Sequence, residues 1–146
     1  MNREIKFRGR RVDTGEWVCG YYYHDQKFKN GYSCQDVYII RDELDQDFEV
    51  DPATVGQFTG FKDKNGQEIY EGDILRYILF QPIEGVTDNE LLHQVIWAEN
   101  GFYFWRYKTG YMEDPENPHG VTNGYKVSGN IYENLELLKE EKICDD

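Results

Sequence analysis

Residues 56–80 read GQFTGFKDKNGQEIYEGDILRYILF, and this stretch decides the fold class. Asp63-Lys64-Asn65-Gly66 forms a compact turn between the apolar Phe61 and Ile69, with Gly66 suited to a positive backbone angle. Glu71-Gly72-Asp73 turns the chain again, into an apolar run from Ile74 to Phe80 that Pro82 and Gly85 close. Apolar segments this short, separated by turn residues, leave no room for a long helix and read as antiparallel strands.

The same punctuation extends in both directions. Upstream, Ile5 and Phe7 alternate with polar neighbours, Asp13-Thr14-Gly15 turns, and Glu16 to Tyr23 follows as EWVCGYYY, so 4–23 reads as a hairpin. Asn30-Gly31, within Phe28 to Tyr32, is a second tight turn, and Val37 to Ile40 reads as a buried strand. Asp51 caps a single helical turn begun by Pro52 and ended by Gly56. Downstream, Thr87-Asp88-Asn89-Glu90 matches a capping box for one helical turn. His93 to Ala98 and Phe102 to Tyr107 flank Glu99-Asn100-Gly101, the strongest hairpin signal in the chain. Residues 108–120 read as an exposed loop and Tyr125 to Ser128 as a strand. Gly129-Asn130 reads as a break, Ile131 to Leu138 as a final strand or turn, and EEKICDD as a frayed tail.

Ala53 and Ala98 are the only alanines, against 14 glycines and 12 tyrosines, a balance that disfavours long helices. The expected architecture is mainly β with few short helical turns. An antiparallel sheet lobe over 1–57 precedes a small barrel-like lobe of Src-homology-three type over 58–146, as two lobes or one continuous fold.

Acidic residues outnumber basic ones by 28 to 16, a net charge of −12. With a mean hydropathy of −0.79 that balance resembles a disordered chain. The 12 Tyr, 8 Phe and 3 Trp supply the apolar surface such chains lack, and imply a folded core. No apolar run approaches the roughly 18 residues of a membrane-spanning helix, and the opening MNREIKFRGRR has no apolar signal core. A cytoplasmic, non-membrane protein is expected. Cys19, Cys34 and Cys144, like His24, His93 and His119, are too scattered for a disulfide framework or a zinc site, so reduced thiols and no cofactor or metal are expected.

Chemical motifs are few. G-x-x-x-x-G-K-[ST], G-x-S-x-G and H-E-x-x-H are absent, and an EF-hand alignment on Gly66 puts Phe61 and Gly72 at ligand positions. No catalytic residue is assigned. Glu71 and Asp73 read as a turn fixed by Asp73 accepting backbone N–H bonds; a carboxylate enzyme site is the alternative. The acidic run Asp42 to Asp51 reads as a solvated connector, or else as oxygen ligands for a hard cation. Arg3, Lys6, Arg8, Arg10 and Arg11 crowd the first eleven residues. They read as solvated charges on a strand, the alternative being a basic edge that meets an acidic partner, a subunit or nucleic acid.

Tyr21-Tyr22-Tyr23 and Phe102 to Trp105 put aromatics on both faces of a strand. One set fills a core, and the other covers an interface or offers a stacking platform. The interaction surface expected from these patterns comprises Arg8, Arg10, Tyr22, Tyr70, Glu71, Asp73, Tyr103 and Trp105.

Three blocks carry a family resemblance: REIKFRGRRVDTGEWVCGYYY from Arg3, DPATVGQFTGFKDKNGQEIYEGDIL from Asp51, and VSGNIYENLELL from Val127. In order and register they resemble the YopX-like proteins of bacteriophages and prophages, most specifically at Thr59-Gly60, Asp63, Gly66 and Ile69 to Ile74. The resemblance implies a phage-borne, cytosolic, mostly β protein and supplies no catalytic residues to carry over. The resulting expectation is a non-enzymatic accessory protein that binds a host or phage protein and forms a homo-oligomer. A nucleic-acid-associated or DNA-mimicking factor is the alternative, which the acidic surface disfavours.

Overall fold

The computed structural model describes residues 4–31, 33–78, 90–98, 101–106, 112–113 and 125–137. It is mainly β, with two antiparallel sheets, and the chain divides into two compact units, Met1–Phe58 and Thr59–Asp146.

In the first unit, β1 (Phe7–Arg10), β2 (Trp17–Lys29), β3 (Ser33–Arg41) and β4 (Asp47–Glu49) lie in the order β4-β3-β2-β1. The first residues of β5 (Gly56–Lys62) pair with the other side of β1, Arg8 opposite Gly56 and Phe7 opposite Gln57. The segment for which a basic edge is the alternative reading is therefore an inner strand. β2 runs to Lys29, past the expected limit at Tyr23. Pairing of His24 to Lys29 with Ser33 to Tyr38 keeps this polar segment extended, a context that outweighs its low strand propensity. The Asn30-Gly31 turn holds both residues at positive φ, 58° and 73°, a backbone region that asparagine and glycine tolerate better than other residues.

Packing concentrates on one face of this sheet. Gly9 has no side chain because a Cβ there would stand 3.1 Å from Val50 Cβ and 3.2 Å from Ile40 Cδ1. Phe7 meets Tyr22 at 5.6 Å between ring centroids, Tyr22 stacks on Tyr38 at 6.2 Å, and Ile40 and Val50 are buried. The 3-10 turn Pro52–Thr54 closes the unit. Asp51 caps it by accepting the Ala53 N–H at 3.0 Å, as expected, and Thr54 Oγ1 accepts the Arg10 N–H at 2.9 Å.

In the second unit, β6 (Glu68–Tyr70) follows β5 after the Asp63–Gly66 turn. A sheet in the order β10-β9-β8-β7-β11 comprises β7 (Asp73–Ile78), β8 (Glu90–Ala98), β9 (Gly101–Arg106), β10 (Met112–Glu113) and β11 (Tyr125–Asn130). Ile69, Leu75, Val95 and Tyr125 form the buried centre of this unit, with Phe61, Tyr77 and Val127 packed against it.

In the expected barrel-like lobe the described strands form an open sheet rather than a closed barrel, with no ladder joining β10 to β11. The reason lies at the outer edge of β11. Asp63 Oδ2 accepts the Val127 N–H at 2.9 Å and the Lys64 N–H donates to the Tyr125 carbonyl at 3.0 Å, so a turn occupies the groups a closing strand would use.

Gly129-Asn130 is not a break but the end of β11, where pairing with β7 shifts register between Val127 and Gly129. Beyond it, 131–133 turn and 135–137 are helical, not extended. Asn130 produces this change: its Oδ1 accepts the N–H groups of Tyr132 and Glu133, both at 3.0 Å, while Asn134 Oδ1 accepts the Asn130 N–H. The Pro82 and Gly85 closure, the Thr87–Asn89 part of the capping box, Glu99-Asn100, most of 108–120, His119, Cys144 and the tail lie outside the described residues.

Candidate interaction surface

Alternation along β1 and β2 determines which side chains remain outside. With Phe7, Gly9, Tyr22 and Ile40 turned to the packed face, Tyr21 takes the opposite face beside Arg41 and is 72% exposed. Ile5, ahead of β1, is 61% exposed. These two apolar groups line a cleft of about 730 Å³, together with Lys6, Cys19, Arg41 and Asp42. Glu43 and Asp45 add further negative charge at its rim.

Internal bonds fix the charged side of the cleft. Arg41 donates from Nε and Nη2 to the two Asp47 oxygens at 2.8 and 3.1 Å, and the Tyr23 hydroxyl donates to Asp47 at 3.0 Å. The Arg41 hydrogen bonds hold the Asp47 carboxyl below its ordinary value and push the guanidinium up. Burial, then the bond to Asp47, raises the Tyr23 hydroxyl. Asp42 Oδ1 accepts the Leu44 and Gln46 N–H groups, both at 2.9 Å, which shapes the acidic run into a tight turn with Leu44 exposed at its tip. The carboxylates of Asp42, Asp47 and Asp51 thus serve the chain itself, and no group of three metal-ligating side chains occurs among the described residues.

The expected surface residues fall in both units. In the first, Arg8 is half-buried with its guanidinium 4.8 Å over the Trp17 ring. Arg10 is half-buried and its Nε donates to the Gly15 carbonyl at 3.2 Å. Tyr22 belongs to the packed aromatic row, where burial raises its hydroxyl pKa. Arg11 binds Asp13 in a two-toothed ion pair, 3.0 and 2.7 Å, and lies 4.5 Å over Phe48.

In the second unit, Tyr70 and Asp73 are buried, and Asp73 Oδ2 accepts the Tyr70 N–H at 2.7 Å. Glu71 is half-buried in the same turn. Gly72 holds φ at +92°, donates its N–H to the Val95 carbonyl at 2.9 Å, and lies under the Tyr132 ring. Tyr103 is half-buried on β9, and Trp105 pairs with Gln94 and Met112 in the sheet. Tyr70, Glu71 and Asp73 therefore meet as parts of one turn. The EGD turn and the GNIYEN segment pack on each other through Gly72 and Tyr132.

Sequence reasoning did not single out Ile5, Tyr21 or Leu44. Three consecutive tyrosines give no indication of which faces inward, and period two alone cannot choose the face. Gly9 was the available signal: a strand glycine marks where other side chains press on the backbone, so its face is the packed one.

Comparison with known proteins agrees with this architecture. The family model described as YopX protein matches residues 6–139. The crystal structure of protein EF1440 from Enterococcus faecalis is similar, with a TM-score of 0.54 and 26% identity over 94% of this chain and 99% of that one. No curated protein matches the sequence. The match reaches into all three recognisable blocks and covers most of the chain, and the chain belongs to the YopX protein family.

Proposed function

We propose that this protein is a phage- or prophage-encoded accessory factor that works in the bacterial cytoplasm as a non-enzymatic binder of another protein. The cleft of Ile5 and Tyr21 is the contact. The observation that carries this reading is the pairing of two strongly exposed apolar side chains with an acidic rim, in a concavity large enough for partner side chains. A partner segment with an apolar anchor flanked by basic residues matches that chemistry.

The recognisable motif residues support the same division of labour. Asp63, Gly72, Asp73 and Asn130 are engaged in holding turns, which favours a structural role for the Glu71–Asp73 carboxylates over an acid–base one. The stacking of Arg8 on Trp17 and the Arg11–Asp13 ion pair weaken the nucleic-acid reading, since those cations are already held within the chain. The test is affinity capture from bacterial lysate with the wild-type chain and the Tyr21→Ala variant as parallel baits. A protein retained by the first and lost by the second is expected. Capture that is identical for both, or salt-sensitive nucleic acid as the retained species, overturns the reading.

A further inference from the structure

The β2–β3 ribbon leaves a strand edge open. β1 pairs with β2 only as far as Gly20, and among the described residues no strand pairs with that edge of β2 beyond it. Two hydrogen bonds show which residues face outward. The Gln26 N–H turns to its neighbour Asp25, whose Oδ1 accepts it at 2.8 Å, and the Tyr38 carbonyl, opposite His24, accepts from Val50 on the far side of β3. His24 and Gln26, and by alternation Phe28, therefore present backbone N–H and C=O groups to the open edge of β2. Their side chains are exposed, Phe28 at 78%. Long open edges recruit further strands unless something covers them.

We propose that a second copy of this chain covers this edge by antiparallel pairing of β2 with β2 about a two-fold axis through Gln26. Charge selects both the occupant and the register. Outward-facing residues must pair with outward-facing residues, so neighbouring registers differ by one residue in the position of the axis. An axis through Asp25 places that carboxylate against its own copy, and an axis through Lys27 does the same with two ammonium groups. An axis through Gln26 sets Asp25 of each chain opposite Lys27 of the other, and His24 opposite Phe28. The strand carries its own complement, and like charges oppose both neighbouring alternatives. The Asp25 oxygen that caps Gln26 in the single chain is released to Lys27 of the second copy, while Gln26 exchanges backbone bonds with its counterpart.

This contact centres on His24 to Phe28 of β2, beyond the cleft residues Cys19 to Tyr21 on the same strand, and it is read by self-association rather than by capture of another protein, so the two readings fail separately. Sedimentation equilibrium over a rising concentration series tests it on the full chain. The wild type is expected to approach twice the monomer mass. Asp25→Lys and Lys27→Asp each convert the opposed pairs to like charges and should weaken self-association by about tenfold or more. Mixing these two variants restores opposite charges across the contact and should restore the dimer, as should the double exchange in one chain. A wild type that stays monomeric throughout, or single variants that associate as strongly as the wild type, overturns the proposal. Tyr21→Ala should leave the dimer intact.

Discussion

Replacing Asp63 by asparagine keeps the side chain's size and removes one of its two acceptor oxygens. In the native fold Oδ1 accepts the Asn65 and Gln67 N–H groups at 2.8 and 2.9 Å, while Oδ2 accepts Val127 at 2.9 Å across to β11. Hydrogen bonds to a charged group contribute about 1.5–3 kcal/mol each. Asparagine can serve the turn or Val127, not both, and it sets an N–H₂ against whichever donor remains. The expected loss is about 2–3 kcal/mol for Asp63→Asn. Asp63→Ala should lose about 3–4 kcal/mol rather than the full sum, because Asn65 and Gln67 are exposed and water can replace the acceptor. Against a total stability on the order of 5–15 kcal/mol, either loss is large, and it should lower the urea midpoint by roughly 1–2 M.

The pH dependence has a definite sign. Burial disfavours the Asp63 charge, but the N–H groups of Val127, Gln67 and Asn65 outweigh it, and the pKa falls below the ordinary 3.8. A carboxylate with a lowered folded-state pKa adds stability above the unfolded value and loses it as pH falls through the folded one. The gap between wild type and Asp63→Asn should therefore be constant near neutrality and shrink below about pH 4. Urea unfolding followed by circular dichroism across that range is the assay. Variants within about 0.5 kcal/mol of wild type, or a gap that widens in acid, would refute the reasoning.

Gly66 and Gly72 both hold positive φ, but a Cβ on Gly66 meets nothing within 4 Å while one on Gly72 stands 3.0 Å from the Tyr132 ring. Gly66→Ala should cost about 1 kcal/mol in thermal unfolding and Gly72→Ala clearly more. Thr59 is buried and its hydroxyl donates to the Ile69 carbonyl at 2.8 Å, so the near-isosteric Thr59→Val should cost about 1 kcal/mol by denaturant titration. Tyr22→Ala opens the packed aromatic row and should cost about 2–4 kcal/mol, whereas Tyr21→Ala should leave the midpoint within about 0.5 kcal/mol of wild type.

Turn chemistry made much of this fold legible. Asn30-Gly31, Asp51-Pro52, Asp63 to Gly66 and Glu71 to Asp73 all turn as their residue types require, because the constraint on φ and the local side-chain acceptor act within a few residues. The end of β2 was not legible, since partner pairing rather than local preference holds His24 to Lys29 extended. Nor was the open sheet of the second unit. A side chain from a distant turn, Asp63, occupies the β11 edge, and no local pattern encodes a bond across 64 residues. Asn130 looked like a chain break because glycine and asparagine favour turns; its carboxamide instead starts a helical segment.

For the candidate surface, the motif residues drew attention to themselves and proved to be occupied in folding. Asp73 is the clearest case: its spacing from Glu71 fits paired carboxylates, yet it is buried with an oxygen on the Tyr70 N–H. Recognisable sequence here records what the turns demand. The exposed apolar groups at Ile5 and Tyr21 carry no local signature, because exposure depends on which face the rest of the sheet covers.

The most direct measurement is calorimetric titration of the captured partner, once purified, into wild-type protein, Ile5→Glu and Glu71→Gln. Ile5→Glu places a charge in the apolar part of the cleft and should weaken binding at least tenfold, about 1.4 kcal/mol, while Glu71→Gln binds as wild type. Unchanged binding by Ile5→Glu together with loss in Glu71→Gln would contradict the account and move the working surface to the turn before β7.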